Sequence, residues 1–166
     1  MKILITGGAG FIGSHLLLEL FKEGHETFVL DNFSNSSSIV FDRIKKISNS
    51  NVNYKEVDLK NFIELKRAFL YFCPDLVIHL AGLKSVSESN QKPLLYYENN
   101  VLSSINLLKL MDEVKCQNLI FSSSATVYGK PKYLPLNENH PCGPNNSYGY
   151  SKFMIEQIIK DWCKTN

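Results

Sequence analysis

The sequence predicts an α/β fold in which a parallel β-sheet carries helices on both faces, the doubly wound arrangement. Three observations predict this fold. Short apolar segments alternate with longer segments of helical periodicity, and a glycine-rich turn follows the first apolar segment. The 166 residues, 44% hydrophobic and 20% charged, are also enough for one compact apolar core. We therefore expect residues 1–166 to form a single domain.

The predicted strands and helices follow each other in order. Strands are predicted at residues 3–5, 27–30, 52–57, 76–80 and 119–121. Apolar residues every four positions from Ile12 predict the first helix, which Gly24 would end. Asn61, with Glu64 three residues later, predicts the capped start of a second helix that ends before Pro74. We expect Pro93 to open one long helix that continues through Met111.

The segments rich in turn-forming residues are predicted to be loops. Residues 34–38 are serines and one asparagine, and residues 129–146 contain four prolines with little periodicity. A last helix is expected from about Ser147 to about Lys164. No sixth strand follows it, so we expect the front part of a longer protein.

Composition and charge exclude several classes of protein. The formal net charge is +2 without a basic block, which argues against nucleic acid and anionic membrane as partners. No apolar run approaches the length of a membrane span, and the first strand leaves no room for a signal peptide. Neither the four histidines nor the four cysteines have metal-ligand spacing, so we predict no metal, reduced cysteines and a cytoplasmic location. His79, within a strand, is expected in the core.

A glycine fingerprint lies between the first strand and the first helix. Gly8, Gly10 and Gly13 have the spacing of the turn that binds a dinucleotide in the Rossmann fold. Glycine lets the backbone approach a pyrophosphate, and the helix that follows presents free N–H groups to it. The alternative is an ordinary glycine-rich turn. The flanking strand and helix favour the dinucleotide.

Asp31 ends the second predicted strand, 18 residues after Gly13. A carboxylate at this place can accept hydrogen bonds from the adenosine ribose and repels a 2′-phosphate, and no arginine stands beside it. The sequence therefore favours NAD over NADP. The alternative is a surface aspartate that caps a loop.

Two tyrosine–lysine pairs have a spacing of four residues. Gly129 and Pro131 lie between Tyr128 and Lys132, so a shared helix face is not expected there. Tyr148 and Lys152 begin the last predicted helix, where residues four apart are neighbours. A nearby ammonium favours the phenolate form of a phenol, so we predict Tyr148 as a base and Lys152 as its electrostatic partner. The alternative is an exposed tyrosine beside a solvated lysine.

Three serines follow the fifth predicted strand, at the sheet edge where ligands usually bind. One of them could hydrogen-bond the substrate oxygen that changes oxidation state, although serines at strand ends often only form turns. The sequence has no nucleophile-elbow motif, so a serine hydrolase is not supported.

These motifs together resemble the extended short-chain dehydrogenases/reductases, and within them the UDP-hexose 4-epimerases. The resemblance covers residues 2–162. Besides the glycine run and Tyr148 with Lys152, it is carried by LDN (30–32) with NS (35–36), HLAGLK (79–84), YENNV (97–101) and FSSSATVYG (121–129).

The resemblance implies roles for the matching residues. Ser124 would bind the sugar 4-hydroxyl, and Tyr148 and Lys152 would act as described above. NAD would be held by Tyr148 and Lys152 and by Gly7, Gly10, Phe11, Ile12, Gly13, Asp31, Asn32, Asn35, Ser36, Asp58, Leu59, Leu80, Ala81, Gly82, Lys84 and Asn99.

The implied reaction is the NAD-dependent inversion of a UDP-hexose at C4 through a transient 4-keto sugar. Sugar dehydratases of the same family usually have Asp-Glu where this chain has Ala125 and Thr126, so dehydration is disfavoured, and decarboxylation less firmly. The resemblance also implies a homodimer and a carboxyl-terminal substrate domain that this sequence lacks. A cofactor-binding module without turnover is the alternative from a different class of protein.

Overall fold

A computed structural model describes Met1 to Lys164. The chain forms two compact units. The first comprises Met1–Ala81 and Asn106–Ser122, and the second comprises Gly82–Ile105 and the chain from Ser123 onward.

The first unit contains a five-stranded parallel sheet. Its strands are β1 (Lys2–Thr6), β2 (Glu26–Asp31), β3 (Tyr54–Glu56), β4 (Leu76–His79) and β5 (Asn118–Phe121). The order across the sheet is β3-β2-β1-β4-β5, so the direction of winding reverses between β1 and β4. The predicted parallel sheet is confirmed. Strand β3 is shorter than the predicted 52–57, since it is an edge strand that pairs only with β2.

Three helices of this unit, α1 (Phe11–Lys22), α2 (Ile39–Ser48) and α3 (Phe62–Phe72), lie on opposite faces of the sheet. Because successive strand residues point to opposite faces, neighbouring residues of β2 show which helix covers which face. Val29 belongs to the apolar cluster that contains Phe41 of α2, whereas the Phe28 ring lies 5.2 Å from the Phe72 ring of α3. Helices on both faces, as predicted, are therefore confirmed.

Helix α2 was not predicted from the sequence. Its inward face has only two buried residues, Phe41 and Ile44. Apolar residues at 39–41, 44 and 47 do recur at helical spacing, so the periodic signal was present and sequence reasoning overlooked it. The predicted boundaries at Gly24 and Asn61 are accurate: Gly24 follows α1 with a φ of +72°, and Asn61 Oδ1 accepts the N–H of Glu64 at the start of α3.

The second unit is mostly helical. It contains α4 (Val86–Gln91), α5 (Pro93–Tyr96), a π-helical segment (Tyr97–Leu102), the start of α6 (Ser103–Val114), a 3₁₀ turn (Ala125–Tyr128) and α7 (Ser147–Trp162). Residues 129–146 form an irregular loop, as predicted. Within residues 1–164, no helix combines the length and the apolar character needed to cross a bilayer.

The expectation of one regular helix from Pro93 to Met111 is wrong in its middle. Pro93 does open a helix, but the chain widens into π-helix between Tyr97 and Leu102. Such widened turns are frequent at functional sites. Here the widened turn contains Asn100, a buried residue whose side-chain amide bonds the backbone of Leu83.

Candidate active site

The glycine turn of the first unit is closed so tightly that side chains would not fit. Gly7 has a φ of +72°, and a Cβ there would lie 2.7 Å from the backbone nitrogen of Ala81. A Cβ on Gly13 would lie 2.6 Å from the carbonyl oxygen of Gly7. These distances are shorter than real Cβ contacts, so both positions require glycine.

The amino end of α1 is open above this turn. Gly10 precedes the helix and provides no side-chain cap for its first N–H groups. Phe11 and Ile12 are 76% and 60% exposed, unusual values for large apolar residues. A turn of three glycines and one alanine that leads into an uncapped helix end has the geometry and the partial positive charge that a pyrophosphate requires. The residues present therefore fit the phosphates of a dinucleotide.

Asp31 joins the glycine turn to the loop after β2. Its carboxylate accepts hydrogen bonds from the N–H of Ala9 at 3.0 Å, from the N–H of Phe33 at 2.9 Å and from Ser36 Oγ at 2.9 Å. Asp31 therefore does cap the loop, but it is buried, so the alternative of a surface aspartate is wrong. A carboxylate has about four acceptor positions, which leaves capacity for a ribose hydroxyl beside these three donors.

The remaining adenosine-side candidates lie at the ends of β2 and β3. The Asn32 amide lies 3.5 Å from Asp58 Oδ2, at the outer limit of a hydrogen bond, and Asn35 is exposed in the loop. Leu59 is buried, and its carbonyl oxygen accepts the Asn106 amide at 3.0 Å. The structure therefore brings Asn32 and Asp58 together and leaves Asn35 without a described contact.

A buried threonine–histidine pair supports the turn after β4, and sequence reasoning missed it. Ala81 N–H lies 3.3 Å from Thr6 Oγ1, which lies 2.7 Å from His79 Nδ1. Thr6 Oγ1 thus joins the Ala81 backbone to the imidazole, and the tautomer of His79 decides which of the two side chains donates. The prediction that His79 is a core residue is confirmed, since it is 2% exposed. This pair fixes Leu80 and Ala81 against Gly7.

In the second unit, Tyr148 and Lys152 lie one turn apart near the start of α7. Asn146 caps this helix by accepting the N–H of Gly149 at 2.8 Å. Tyr148 is 9% exposed and Lys152 is 4% exposed. The surface alternative for the pair is therefore wrong. Burial lowers the pKa of Lys152 to about 8, since a desolvated ammonium is costly.

Asn100 connects the π-helical segment to the neighbourhood of this pair. Its Oδ1 accepts the Leu83 N–H at 2.8 Å, and its amide donates to the Leu83 carbonyl oxygen at 3.0 Å and to Ser151 Oγ at 3.1 Å. A Cβ on Gly82 would lie 3.2 Å from Asn100 Oδ1 and 3.7 Å from Lys152 Nζ. Gly82 and Asn100 thus lie close to the lysine.

Of the neighbouring candidates, Asn99 is half-buried and Lys84 is exposed. The Asn99 amide donates to Asn100 Oδ1 at 3.1 Å. Asn100 itself was not among the predicted site residues. Its signal in the sequence was the repeated asparagine at 99–100, of which sequence reasoning chose the first.

Ser124 lies at the start of the 3₁₀ turn, and Thr126 holds its hydroxyl. Ser124 Oγ accepts the N–H of Thr126 at 3.2 Å and the Thr126 hydroxyl at 2.9 Å. With two donors on its oxygen, the Ser124 proton is available to another acceptor. The turn packs closely on α7, because a Cβ on Gly149 would lie 2.8 Å from the Thr126 carbonyl oxygen.

Tyr128 and Lys132 do not form a second pair of this kind. Tyr128 ends the 3₁₀ turn, Gly129 has a φ of +65°, and the Lys132 N–H donates to His140 Nε2 at 2.9 Å. No helix continues through them, as the sequence predicted. Among residues 1–164, no group of three or more histidine, cysteine, aspartate or glutamate side chains has metal-ligating geometry.

The fold and these residues define an α/β protein of the Rossmann type with the tyrosine–lysine pair of the short-chain dehydrogenases/reductases. The model of the NAD dependent epimerase/dehydratase family matches residues 3–166, and the chain belongs to that family.

Curated relatives of high identity are UDP-glucose 4-epimerases. The chain is 47% identical over 163 residues to UDP-glucose 4-epimerase 2 of Arabidopsis thaliana, covering 96% of this chain and 47% of that protein. It is 50% identical over 163 residues to the enzyme of Yersinia enterocolitica, covering 98% and 48%. The chain thus spans about half the length of these relatives.

Solved structures give the same result. The chain resembles UDP-glucose 4-epimerase from Bifidobacterium longum in complex with NAD⁺ and UDP, with a TM-score of 0.97 and 42% identity over 100% of this chain and 50% of that one. The UDP-glucose-4-epimerase from Stenotrophomonas maltophila, with bound NAD and formylated UDP-arabinopyranose, gives 0.95 and 38% over 99% and 49%.

Proposed function

We propose that this chain is the NAD-binding part of an enzyme that interconverts UDP-glucose and UDP-galactose at C4. The relatives are named UDP-glucose 4-epimerases, and the structure of one of them is in complex with NAD⁺ and UDP, but the chain matches only about half of each. The activity is therefore proposed for a whole enzyme to which these residues contribute.

The first unit would hold the dinucleotide. Gly7, Gly10 and Gly13, with Phe11 and Ile12, would receive the pyrophosphate at the amino end of α1. Asp31, Asn32, Asn35 and Ser36 would hold the adenosine ribose, Asp58 and Leu59 the adenine, and Leu80 and Ala81 the path to the nicotinamide ribose. NAD, when bound, supplies a hydride acceptor that can return the hydride to the same carbon.

The second unit would supply the proton chemistry. Tyr148 would take the proton of the sugar 4-hydroxyl, while the Lys152 ammonium would favour the phenolate and bind the nicotinamide ribose together with Gly82, Lys84 and Asn99. Ser124 would donate its hydroxyl proton to the same sugar oxygen. The 4-keto sugar would then rotate, and Tyr148 would return the proton once the opposite face had been reduced.

The observation that carries this proposal is the buried Tyr148–Lys152 pair beside a serine turn without an acid. Ala125 is exposed and apolar, and the Thr126 hydroxyl is bonded to Ser124 Oγ. Loss of water from the sugar would need an acid and a base at these two positions. The geometry therefore supports epimerisation over dehydration.

The test uses the protein with whatever residues follow Asn166 in its natural form. Denaturation of the purified protein should release nearly one NAD per chain, and incubation with UDP-galactose should form UDP-glucose. Bound NAD without conversion of UDP-galactose would contradict the reaction, and a protein that neither releases nor binds NAD would contradict the cofactor.

A homodimer and a cytoplasmic location complete the proposal. The π-helical segment, α6 and α7 border an apolar groove of about 410 Å³ lined by Tyr97, Val101, Leu102, Ile105 and Met154. A second copy that presents the same surface would bury this groove through an isologous interface. The four cysteines carry no disulfide in the structure, which fits a reducing compartment.

A further inference from the structure

Helix α7 carries a third polar residue in register with the tyrosine and the lysine. Glu156 follows Lys152 by four residues, as Lys152 follows Tyr148, and it is half-buried. Its carboxylate accepts a short hydrogen bond from the Ser123 hydroxyl. Ser123 directly precedes Ser124, so this bond joins the serine turn to the helix that carries the base.

Ser124 lies between two attachments to α7. On its carboxyl side, the Thr126 carbonyl oxygen lies so close to Gly149 that a Cβ there would be at 2.8 Å. On its amino side, Ser123 bonds Glu156. The two attachment points are seven residues apart on α7, roughly 10 Å along the helix axis. One attachment point, Gly149, directly follows Tyr148, and the other, Glu156, lies one turn beyond Lys152. The two points therefore lie on either side of Lys152.

The Ser124 carbonyl oxygen accepts the Val127 N–H at 3.1 Å, so the backbone contributes to this arrangement together with the side-chain bonds. The Ser124 φ of −152° and ψ of +144° are extended, and regular structure resumes only at Ala125. A hydrogen bond from a hydroxyl to a carboxylate is shorter and stronger than a hydrogen bond between two neutral groups. Loss of this bond would remove the side-chain attachment of Ser123 to α7, whereas the hydrogen bond from the Ser122 N–H to the His79 carbonyl oxygen and the Thr126 contact would stay.

We infer that Ser123 and Glu156 are positioning residues that hold the Ser124 hydroxyl in register with Tyr148. This inference rests on the proposed function. A hydroxyl must lie within hydrogen-bond distance of the reacting oxygen to help the proton transfer. A displacement of about 1 Å at a reacting group can cost about a hundredfold in rate.

The test compares Ser123→Ala, Glu156→Ala, Glu156→Gln and the double alanine variant in the NAD-loaded enzyme, with UDP-galactose as substrate. Each single alanine variant should lower kcat about 10- to 100-fold, with KM within about twofold and NAD content unchanged. Glu156→Gln should recover about tenfold over Glu156→Ala, because the amide oxygen still accepts from Ser123. The double variant should be no slower than the worse single variant.

Gln157→Ala is the matched control, since Gln157 is the exposed next residue of α7. It should leave kcat unchanged. Losses that add in the double variant, or equal losses for the glutamine and alanine variants, would show that Glu156 acts without Ser123 and would overturn the inference. Ser123→Ala removes only a hydroxyl, so a normal kcat in that variant would overturn it even if Glu156→Ala failed to fold.

The unaltered protein separates this inference from the proposed function. If it converts UDP-galactose while the variants behave like wild type, the positioning role fails and the function stands. If the unaltered protein does not convert UDP-galactose, the proposed function fails, and the positioning role defined by that reaction fails with it.

Discussion

Tyr148 and Lys152 are the residues whose chemistry depends most on burial. Both are almost excluded from solvent, although each could have lain on an exposed helix face. Burial removes the water that would screen the charge of the lysine, which strengthens its electrostatic effect on neighbouring groups. Burial also makes the lysine costly to keep charged, so its proposed catalytic role is opposed to the stability of the fold.

Replacing the proposed base should stop turnover without loss of cofactor. Tyr148→Phe removes one hydroxyl from a buried ring, and general acid–base catalysis typically contributes a factor of 10² to 10⁴. We expect epimerisation to fall at least about a hundredfold while NAD remains bound. The matched control is Tyr150→Phe, because Tyr150 is 44% exposed two residues away. Near-normal turnover by Tyr148→Phe would remove the assignment of the base.

Replacing Lys152 by methionine should stabilise the NAD-free protein at neutral pH. Its pKa is lowered from 10.5 to about 8 in the fold, so the unfolded chain binds the proton more tightly. The native protein therefore bears a cost of at most about 3 kcal/mol below pH 8, which disappears as the pH rises from about 8 to 10.5.

Urea unfolding of Lys152→Met from pH 7 to pH 10.5 measures this effect. Its free energy of unfolding should exceed that of the unaltered protein at pH 7, and the excess should shrink across that interval. Lys160→Met, at an exposed position of the same helix, is the matched control for the loss of a lysine side chain. An excess that did not change with pH would contradict the prediction.

At the scale of elements, the turn between β1 and α1 can be compared with another glycine turn of the same chain. Gly7 and Gly24 both have a φ of +72°, but a Cβ on Gly24 would meet no atom within 4 Å. Alanine at Gly24 should cost only the backbone strain of a left-handed residue, about 1–2 kcal/mol. Alanine at Gly7 should cost more, because it also displaces the backbone of Ala81.

Chemical denaturation and NAD binding distinguish the two glycine substitutions. Gly7→Ala should be the less stable variant and should lose NAD, since its turn forms the proposed pyrophosphate site. Gly24→Ala should bind NAD like the unaltered protein. Equal stability and equal NAD binding in both variants would show that the tight contact at Gly7 is relieved without consequence.

The capped start at Asn61 and the glycine stop at Gly24 were predicted, whereas helix α2 and the π-helical segment were not. The cap at Asn61 and the helix stop at Gly24 depend on side chains and φ angles within one turn. The local sequence is therefore enough to predict both helix boundaries. Helix α2 has apolar residues at helical spacing that sequence reasoning overlooked, whereas Asn100 in the π-helical segment bonds Leu83, which is 17 residues away. The periodicity of a short segment cannot predict a contact between residues 17 positions apart.

For the whole molecule, the proposed dimer predicts that charge in the apolar groove prevents association. Leu102 is 40% exposed at the groove, and Leu102→Glu should convert a dimer into a monomer at tens of micromolar by light scattering. The matched control is Leu94→Glu, since Leu94 is 79% exposed and does not line the groove. A monomer for the unaltered protein at that concentration would contradict the dimer.

The sequence alone determined the parallel sheet and the family. Alternating apolar and helical segments require buried strands covered by helices, and the glycine run and the Tyr148–Lys152 spacing act within single turns. Asp31 was also found, because it directly follows a predicted strand.

Only the tertiary structure decided which polar groups support these residues. Thr6 with His79, Asn100 with Leu83, and Ser123 with Glu156 are separated by 73, 17 and 33 positions in the chain. The residue types at such positions are ordinary, and their partners depend on how distant segments pack. Their roles became visible only once folding had removed water from them and left each polar atom a particular partner.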